Sequence, residues 1–454
     1  MPDRGRLTSI IYFVEMTTLT EGSAAPKDEL AQAPGLDGST PVAPSLSLLP
    51  WDPATAIRDK VKRVFGECGG VNESIEPSTT FTTMNPETMR ALFKGEGGPQ
   101  DGCFLYARHF APNSLRLGMR IAAMEDTEIA YPTASGMSAI SATLMQLLNP
   151  GDHIVSSGAI YGGTHALLQN FLPRFGINST FVRPADSDGF ERAIQPTTKI
   201  IYVETEANPT MEIADLDRLA EMAHAKGALL VVDNTFTPLT FTPAHHQADI
   251  VIHSTTKFIN GRSDAIGGAI CSSHDLLLKL MDLNTGTLML TGPVMDSRNA
   301  HQLNMYLNDL PLRIAAHSER ALLFAQRMES LGLTVRYPGL SSHPQHQLAA
   351  RMKNPNYGYG GMMNVDFGSV QRATAFVKKL QDLGGGLNAV SLGYFDTLAS
   401  VSGITTSSEI DGKQQTAMGL SPGLVRLSVG YTGTAESEWT KMQEAIEEAL
   451  HNSL

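Results

Sequence analysis

The sequence predicts an α/β fold, with a mainly parallel sheet of about seven strands, helices on both faces and a smaller α+β domain behind it. Three observations carry that expectation. Between residues 135 and 273, short β-branched apolar runs alternate with stretches of helical apolar spacing. Turn signals such as Asn149-Pro150-Gly151-Asp152 separate them. From about Asn304 the texture changes to further strand candidates set between long amphipathic helices.

Taken in order, residues 1–50 are rich in Pro, Ala, Ser and Gly and read as a disordered N-terminal extension. Residues 51–115 read as an arm. It opens with a helix over 52–66, N-capped by Asp52 with Pro53 in its first turn. A short helix follows near Pro86–Phe93, and the arm closes with FLYARHFAPN (104–113). The central domain, 116–303, begins with a helix over 135–148 that has Met137, Ile140, Leu144 and Leu148 on one face. Strand 153–157, helix 162–172, strands 179–184 and 198–205, and helix 213–227 come next. Strands 228–235, 249–254 and 265–273 complete the domain. The C-terminal domain, 304–454, contains a helix at 321–332, strands at 360–367 and 423–431, and helices at 370–383 and 434–450.

A formal net charge of −12 argues against nucleic acid or an anionic membrane as partner. Three unpatterned cysteines exclude a disulfide framework and fit a reducing compartment. No apolar run approaches the roughly 18 residues of a membrane helix. The segment Ile10–Val14 is too short for a secretory signal, so the cytoplasm is the expected location.

Chemistry concentrates at strand ends. In HSTTKFINGRSDAIGGAI (253–270), Lys257 follows a buried-strand pattern, with hydroxyls at Ser254 and Thr256. In open α/β sheets ligands bind beyond the carboxyl ends of the strands, so this amine is a candidate for a Schiff base, or else a solvated loop lysine. In TASGMSAI, Ser135 and Gly136 at a helix start form an anion seat, or a plain cap. Asp233 ends an apolar strand, where a carboxylate is costly unless paired; a protonated ring nitrogen or loop N–H groups would serve. Tyr161, just past a strand, could stack on an aromatic cofactor or pack as an ordinary interface tyrosine. In GLVRLSVGY the period of two sets Val425, Leu427 and Val429 on the core face and Arg426 opposite. There Arg426 could clamp a carboxylate or bridge the sheet. HPQH (343–346) lacks a carboxylate or cysteine partner and reads as structural, so no metal is expected.

Together these runs, with YARHFAPN, YGGTHALL, ETEANPT and SLGYFDTL, resemble the Cys/Met-metabolism (trans-sulfuration) family of pyridoxal-phosphate enzymes. The resemblance covers about Trp51 to Leu450 and implies the type I aminotransferase-like fold. The plant-type methionine γ-lyases are the most similar subgroup, through GECGGVNESIEPSTTFT, YGYGG and SLGYFDTLASVSG. It implies pyridoxal 5'-phosphate held on Lys257, with Asp233 on the ring nitrogen, Tyr161 on the ring face and Asn208 by the phenolic oxygen. The phosphate would be held by Gly136 and Met137 N–H groups beside Ser135, by the Ser254 and Thr256 hydroxyls, and by Tyr106 and Arg108 of a neighbouring subunit. Ser391 and Arg426 would take the substrate carboxylate. A homotetramer built as a dimer of active dimers is implied.

The pattern departs from the family at Ala111 and Asn113, at Arg262-Ser263 and at Gly163, where bacterial methionine γ-lyases carry a cysteine. None is in the cofactor set; all could bear on the γ-substituent. The expected reaction is γ-elimination on a γ-substituted L-amino acid, with Lys257 and Tyr161 moving protons. Methionine leads, canavanine or another leaving group is an alternative, and Arg262 disfavours a guanidino group if it faces the pocket. The further alternatives are γ-replacement on an O-acyl-homoserine, as in cystathionine γ-synthases, and a catalytically retired scaffold.

Overall fold

A computed structural model describes residues 50–60, 65–66, 68–83, 85–93, 96, 98–99, 102–402 and 421–451. The expected disordered extension therefore lies outside the described residues, apart from Pro50. Seven strands form the large sheet: β1 Ile129–Thr133, β2 His153–Ser157, β3 Asn178–Val182, β4 Thr198–Glu204, β5 Leu229–Asp233, β6 Ile250–His253 and β7 Gly268–Ser272. Their order is β1-β7-β6-β5-β4-β2-β3. The run from β3 to β6 is parallel, while β7 is antiparallel to both β6 and β1.

Both faces of this sheet are covered, which is why its strands read as continuous apolar runs. Ile200 and Tyr202 face a layer that includes Ile140 and Leu144. Ile201 and Val203 face the opposite layer with Leu219 and Ala223. The smaller sheet has β8 Thr334–Arg336, β9 Met362–Asp366, β10 Leu387–Asn388, β11 Leu398–Val401 and β12 Leu424–Ser428, in the order β10-β11-β12-β9-β8. Val425, Leu427 and Val429 do enter its core, packed with Phe376, Trp439 and Met442.

Several elements differ from expectation. A helix that the sequence does not announce starts at Pro112 and runs to Glu125. Pro112 sits in the first turn, where its missing N–H is no loss, and Ser114 Oγ accepts the N–H of Ala111 at 3.0 Å. Strand β1 contains Pro132, which hid it; as an edge strand with β7 as its neighbour in the sheet and a single bridge from Thr133 to Val294, it tolerates a residue without an N–H. The expected helix over 162–172 is regular only over Gly162–Ala166 and then widens into a looser turn over Leu167–Phe171. Pro173 explains this, since its ring clashes with the carbonyl four residues back.

The helix expected at 321–332 is the second half of a 21-residue helix, Leu310–Ser330. Buried polar residues in its first half disguise the apolar stripe. Arg313 is one of them, and its guanidinium donates to the carbonyls of Phe258 (2.6 Å) and Ile259 (3.0 Å). The segment after Lys257 is thereby fixed to the C-terminal region.

Candidate active site

A cavity of about 490 Å³ opens at the carboxyl ends of β4, β5 and β6. Ser135, Gly136, Met137, Tyr161, Asn208, Asp233, Ser254, Thr256, Lys257 and Arg426 all line it. Residues more than 250 positions apart in sequence are thus brought to one space. Ser391 is not on the wall itself, but its hydroxyl accepts a hydrogen bond from Lys257 Nζ at 3.0 Å. Tyr106 and Arg108 lie elsewhere: both are exposed, and the guanidinium sits 5.5 Å from the tyrosine ring centre.

Each wall has a local cause. The helix Gly136–Leu147 begins at Ser135, whose side chain accepts the N–H of Ser138. That leaves the first N–H groups of the helix, at Gly136 and Met137, without intrahelical partners and facing outward. Only glycine fits at 136, because a Cβ there would lie 2.7 Å from Ser254 Cβ. The helix start and the Ser254 hydroxyl therefore converge as a cradle for an anion. The Thr256 hydroxyl is engaged in this state, accepting from Gly267 N–H and donating to Gly267 C=O.

Lys257 is mostly buried, and burial, with Arg426 nearby, lowers its pKa to about 8. A larger share of neutral amine is therefore present near neutrality than for a free lysine. Asp233 accepts from Thr235 N–H at 3.0 Å and from the Tyr202 hydroxyl at 3.4 Å. Burial raises its proton affinity, and a protonated ring nitrogen would reverse that. Arg426 projects from β12 and donates to Asn208 Oδ1 at 3.1 Å and to the carbonyls of Val390 at 2.9 Å and Ser391 at 3.3 Å. Burial brings its pKa down to about 10. An amine, an anion cradle, a buried carboxylate and an exposed aromatic ring meet the needs of an aromatic aldehyde carrying a phosphate.

Sequence reasoning missed Glu204, Glu206, Thr235, Phe236, Ile266, Val390 and Leu392, all of them lining residues. Glu204 had a signal, as an acid at the end of an apolar strand like Asp233, and Glu206 and Ile266 lie within the runs ETEANPT and HSTTKFINGRSDAIGGAI without standing out from them. Of the departures from the family pattern, Gly163 alone lines the cavity. A Cβ on it would come within 2.6 Å of the Tyr161 ring. Arg262 does not line it, pairing instead with Asp309 at 2.8 Å and stacking on Tyr306 at 4.3 Å. Asn113 is spent on the arm, bonding Glu73, Ser74 and Glu76. His343 and His346 bond the carbonyls of Met211 and Pro338.

The sequence model of the Cys/Met metabolism PLP-dependent enzymes matches residues 55–437. A methionine gamma-lyase from Arabidopsis thaliana is 48% identical over 415 residues, which are 90% of this chain and 94% of that protein. A cystathionine gamma-synthase from Mycobacterium tuberculosis is 36% identical over 376 residues, 81% of this chain and 90% of that one. Among solved structures, cystathionine gamma-lyase from Lactobacillus plantarum complexed with L-serine superposes with a TM-score of 0.78 at 27% identity. That match covers 87% of this chain and 98% of the other, and with it the expected type I fold stands.

Proposed function

Because the chain belongs to the Cys/Met metabolism family of pyridoxal-phosphate-dependent enzymes, we propose that it carries out γ-elimination on a γ-substituted L-amino acid, as methionine γ-lyases do. Methionine and water would give 2-oxobutanoate, ammonia and methanethiol. The observation that carries this reading is the convergence of Lys257, Asp233, Tyr161 and Arg426 on one cavity.

The cofactor supplies an electron sink for charge developing on the substrate's carbon atoms. The chain's own residues do the rest. Arg426 holds the α-carboxylate, helped by Ser391, and so fixes Cα above the amine of Lys257. Lys257 Nζ accepts the Cα proton, a role its lowered pKa suits. Once that proton is passed on, Nζ accepts a Cβ proton, whose bonding electrons form the Cβ–Cγ double bond as the Cγ–S bond breaks. Asp233, paired to the ring nitrogen, keeps that sink protonated. Tyr161 gives its hydroxyl proton to the leaving sulfur, and its side chain would stack on the cofactor ring. Gly136 and Met137 N–H groups, with the Ser254 and Thr256 hydroxyls, anchor the phosphate.

Tyr106 and Arg108 are assigned to the phosphate of a neighbouring subunit, which their exposure and distance from this cavity support. The working unit is then at least a dimer, paired into a tetramer. Mixing Arg108→Ala subunits with Lys257→Ala subunits should restore activity to a fraction of sites. Among the described residues no helix is long and apolar enough to cross a membrane, and a cytoplasmic location is the accompanying proposal.

With Arg262 held away from the cavity by Asp309, its objection to a guanidino leaving group lapses. The deciding experiment incubates the reconstituted enzyme with methionine, canavanine and O-acetylhomoserine, each with and without cysteine. Keto acid formed from methionine without cysteine supports the elimination reading. Cystathionine formed only with cysteine would replace it by γ-replacement, and no turnover of any of the three would sink it.

A further inference from the structure

Glu204 ends β4 directly opposite Asp233 on β5 and is buried against the cavity. Its two carboxylate oxygens are each used once. Oε1 accepts the backbone N–H of Tyr161 at 2.7 Å, and Oε2 accepts the backbone N–H of Asn208 at 2.7 Å. Tyr161 opens the helix Gly162–Ala166 on one side of the cavity. Asn208 stands on the other, with its side-chain oxygen bonded to Arg426. One planar group therefore spans the gap between the aromatic wall and the guanidinium wall.

We propose that Glu204 is a positioning residue whose two oxygens set the separation of Tyr161 from the Asn208–Arg426 pair, and so the fit of the cofactor ring and the α-carboxylate. The proposal rests on the reading of this cavity as the cofactor and amino-acid site. The chemistry is specific to a carboxylate. A glutamine at 204 offers one acceptor oxygen and turns an NH2 toward the second N–H, so one of the two ties becomes a donor facing a donor. An aspartate keeps both acceptors but withdraws them by one methylene, about 1.5 Å. Burial and Asp233 raise the Glu204 pKa to about 8 and so favour the neutral acid, whereas the two N–H donors and Arg426 favour the ionised form that accepts both bonds.

Glu206, two residues on, is the control. It is equally buried and lines the same cavity, but neither of its oxygens has a hydrogen-bond partner among the described residues. The test uses cofactor-reconstituted Glu204→Gln, Glu204→Asp and Glu206→Gln. The first readout is the circular dichroism of the bound cofactor, which reports how the ring sits between its walls. The second is the apparent Kd for L-alanine, which has the α-amino and α-carboxylate groups and no γ-substituent, followed by cofactor absorbance.

Glu204→Gln should alter the cofactor dichroism and raise the apparent Kd for L-alanine about tenfold or more. Glu204→Asp should fall between it and the wild type, and Glu206→Gln should leave both readouts at wild-type values. Equal effects from Glu204→Gln and Glu206→Gln would reduce the result to lost buried charge and overturn the proposal. So would an unchanged Glu204→Gln enzyme, or failure of both Glu204 variants to fold. None of these outcomes depends on which γ-substituent is eliminated, so the proposal can fail while the reaction assignment stands, and the reverse.

Discussion

Lys257 Nζ donates to Ser391 Oγ at 3.0 Å, so the amine on the large domain is steadied by a hydroxyl from the C-terminal domain. Burial holds the Lys257 pKa near 8, and the neutral amine is the form that attacks an aldehyde. Reconstitution of the apoenzyme with pyridoxal phosphate should therefore speed up as pH rises from 6 to 9, with a midpoint near 8, well below that of a free lysine. Ser391→Ala removes a hydrogen bond that favours the charged amine and should move the midpoint to lower pH. A midpoint above 10 in stopped-flow absorbance would contradict the burial argument.

Gly163→Ala tests the seat of the Tyr161 ring. The added Cβ would stand 2.6 Å from Tyr161 Cε1 and 3.1 Å from Met137 Sδ, so the ring must turn away. Tyr161 is half exposed and free to move, so the loss should fall on turnover rather than stability. We expect kcat to drop about tenfold to a hundredfold, in line with the cost of an ångström-scale misplacement, with a melting temperature near that of the wild type. A normal kcat would show that the ring's position is not critical.

Arg426→Lys keeps the charge and loses the fork. The arginine divides its nitrogens among Asn208, Val390 and Ser391 while facing the cavity, which a single ammonium cannot reproduce. The KM for the amino acid should rise about tenfold to a hundredfold, the range expected for a charge-assisted contact of roughly 1.5–3 kcal/mol. Steady-state kinetics on the substrate identified by the incubation assay would check it, and an unchanged KM would place the carboxylate elsewhere.

The legibility of this site in the sequence followed its chemistry. Asp233 and Arg426 each put a charge into an apolar strand, where it needs a partner, and Lys257 follows an apolar strand at the end where ligands bind, so each is marked in the sequence. Glu204 had the same signature and was passed over because its two partners are backbone N–H groups, which leave no mark in a sequence. The parallel strands were readable because both their faces are buried. Strand β1 and the helix from Pro112 were not, since in each a proline that normally signals a break occupies a position where no N–H is needed. Arg313 hid the first half of a long helix for the opposite reason: a charged residue that looks solvated is buried on backbone carbonyls.

Glu206 gives a prediction about stability alone. Both its oxygens are shielded and without a hydrogen-bond partner among the described residues, and burial first, then the neighbouring Glu204, push its pKa well above the usual carboxylate range. For an acid whose folded pKa lies above its unfolded one, the native state holds a proton that the unfolded chain releases. Stability is then intact below the unfolded pKa and is lost as pH rises toward the folded one. Glu206→Met removes both oxygens at similar length and should stabilise the protein at neutral and alkaline pH by about 1–3 kcal/mol, the cost of leaving a buried polar group unsatisfied. The gap between variant and wild type should widen from pH 5 to pH 8 in urea titrations of the apoenzyme. A gap that is constant or shrinks with pH would mean that Glu206 is ionised in the folded chain and has a partner after all.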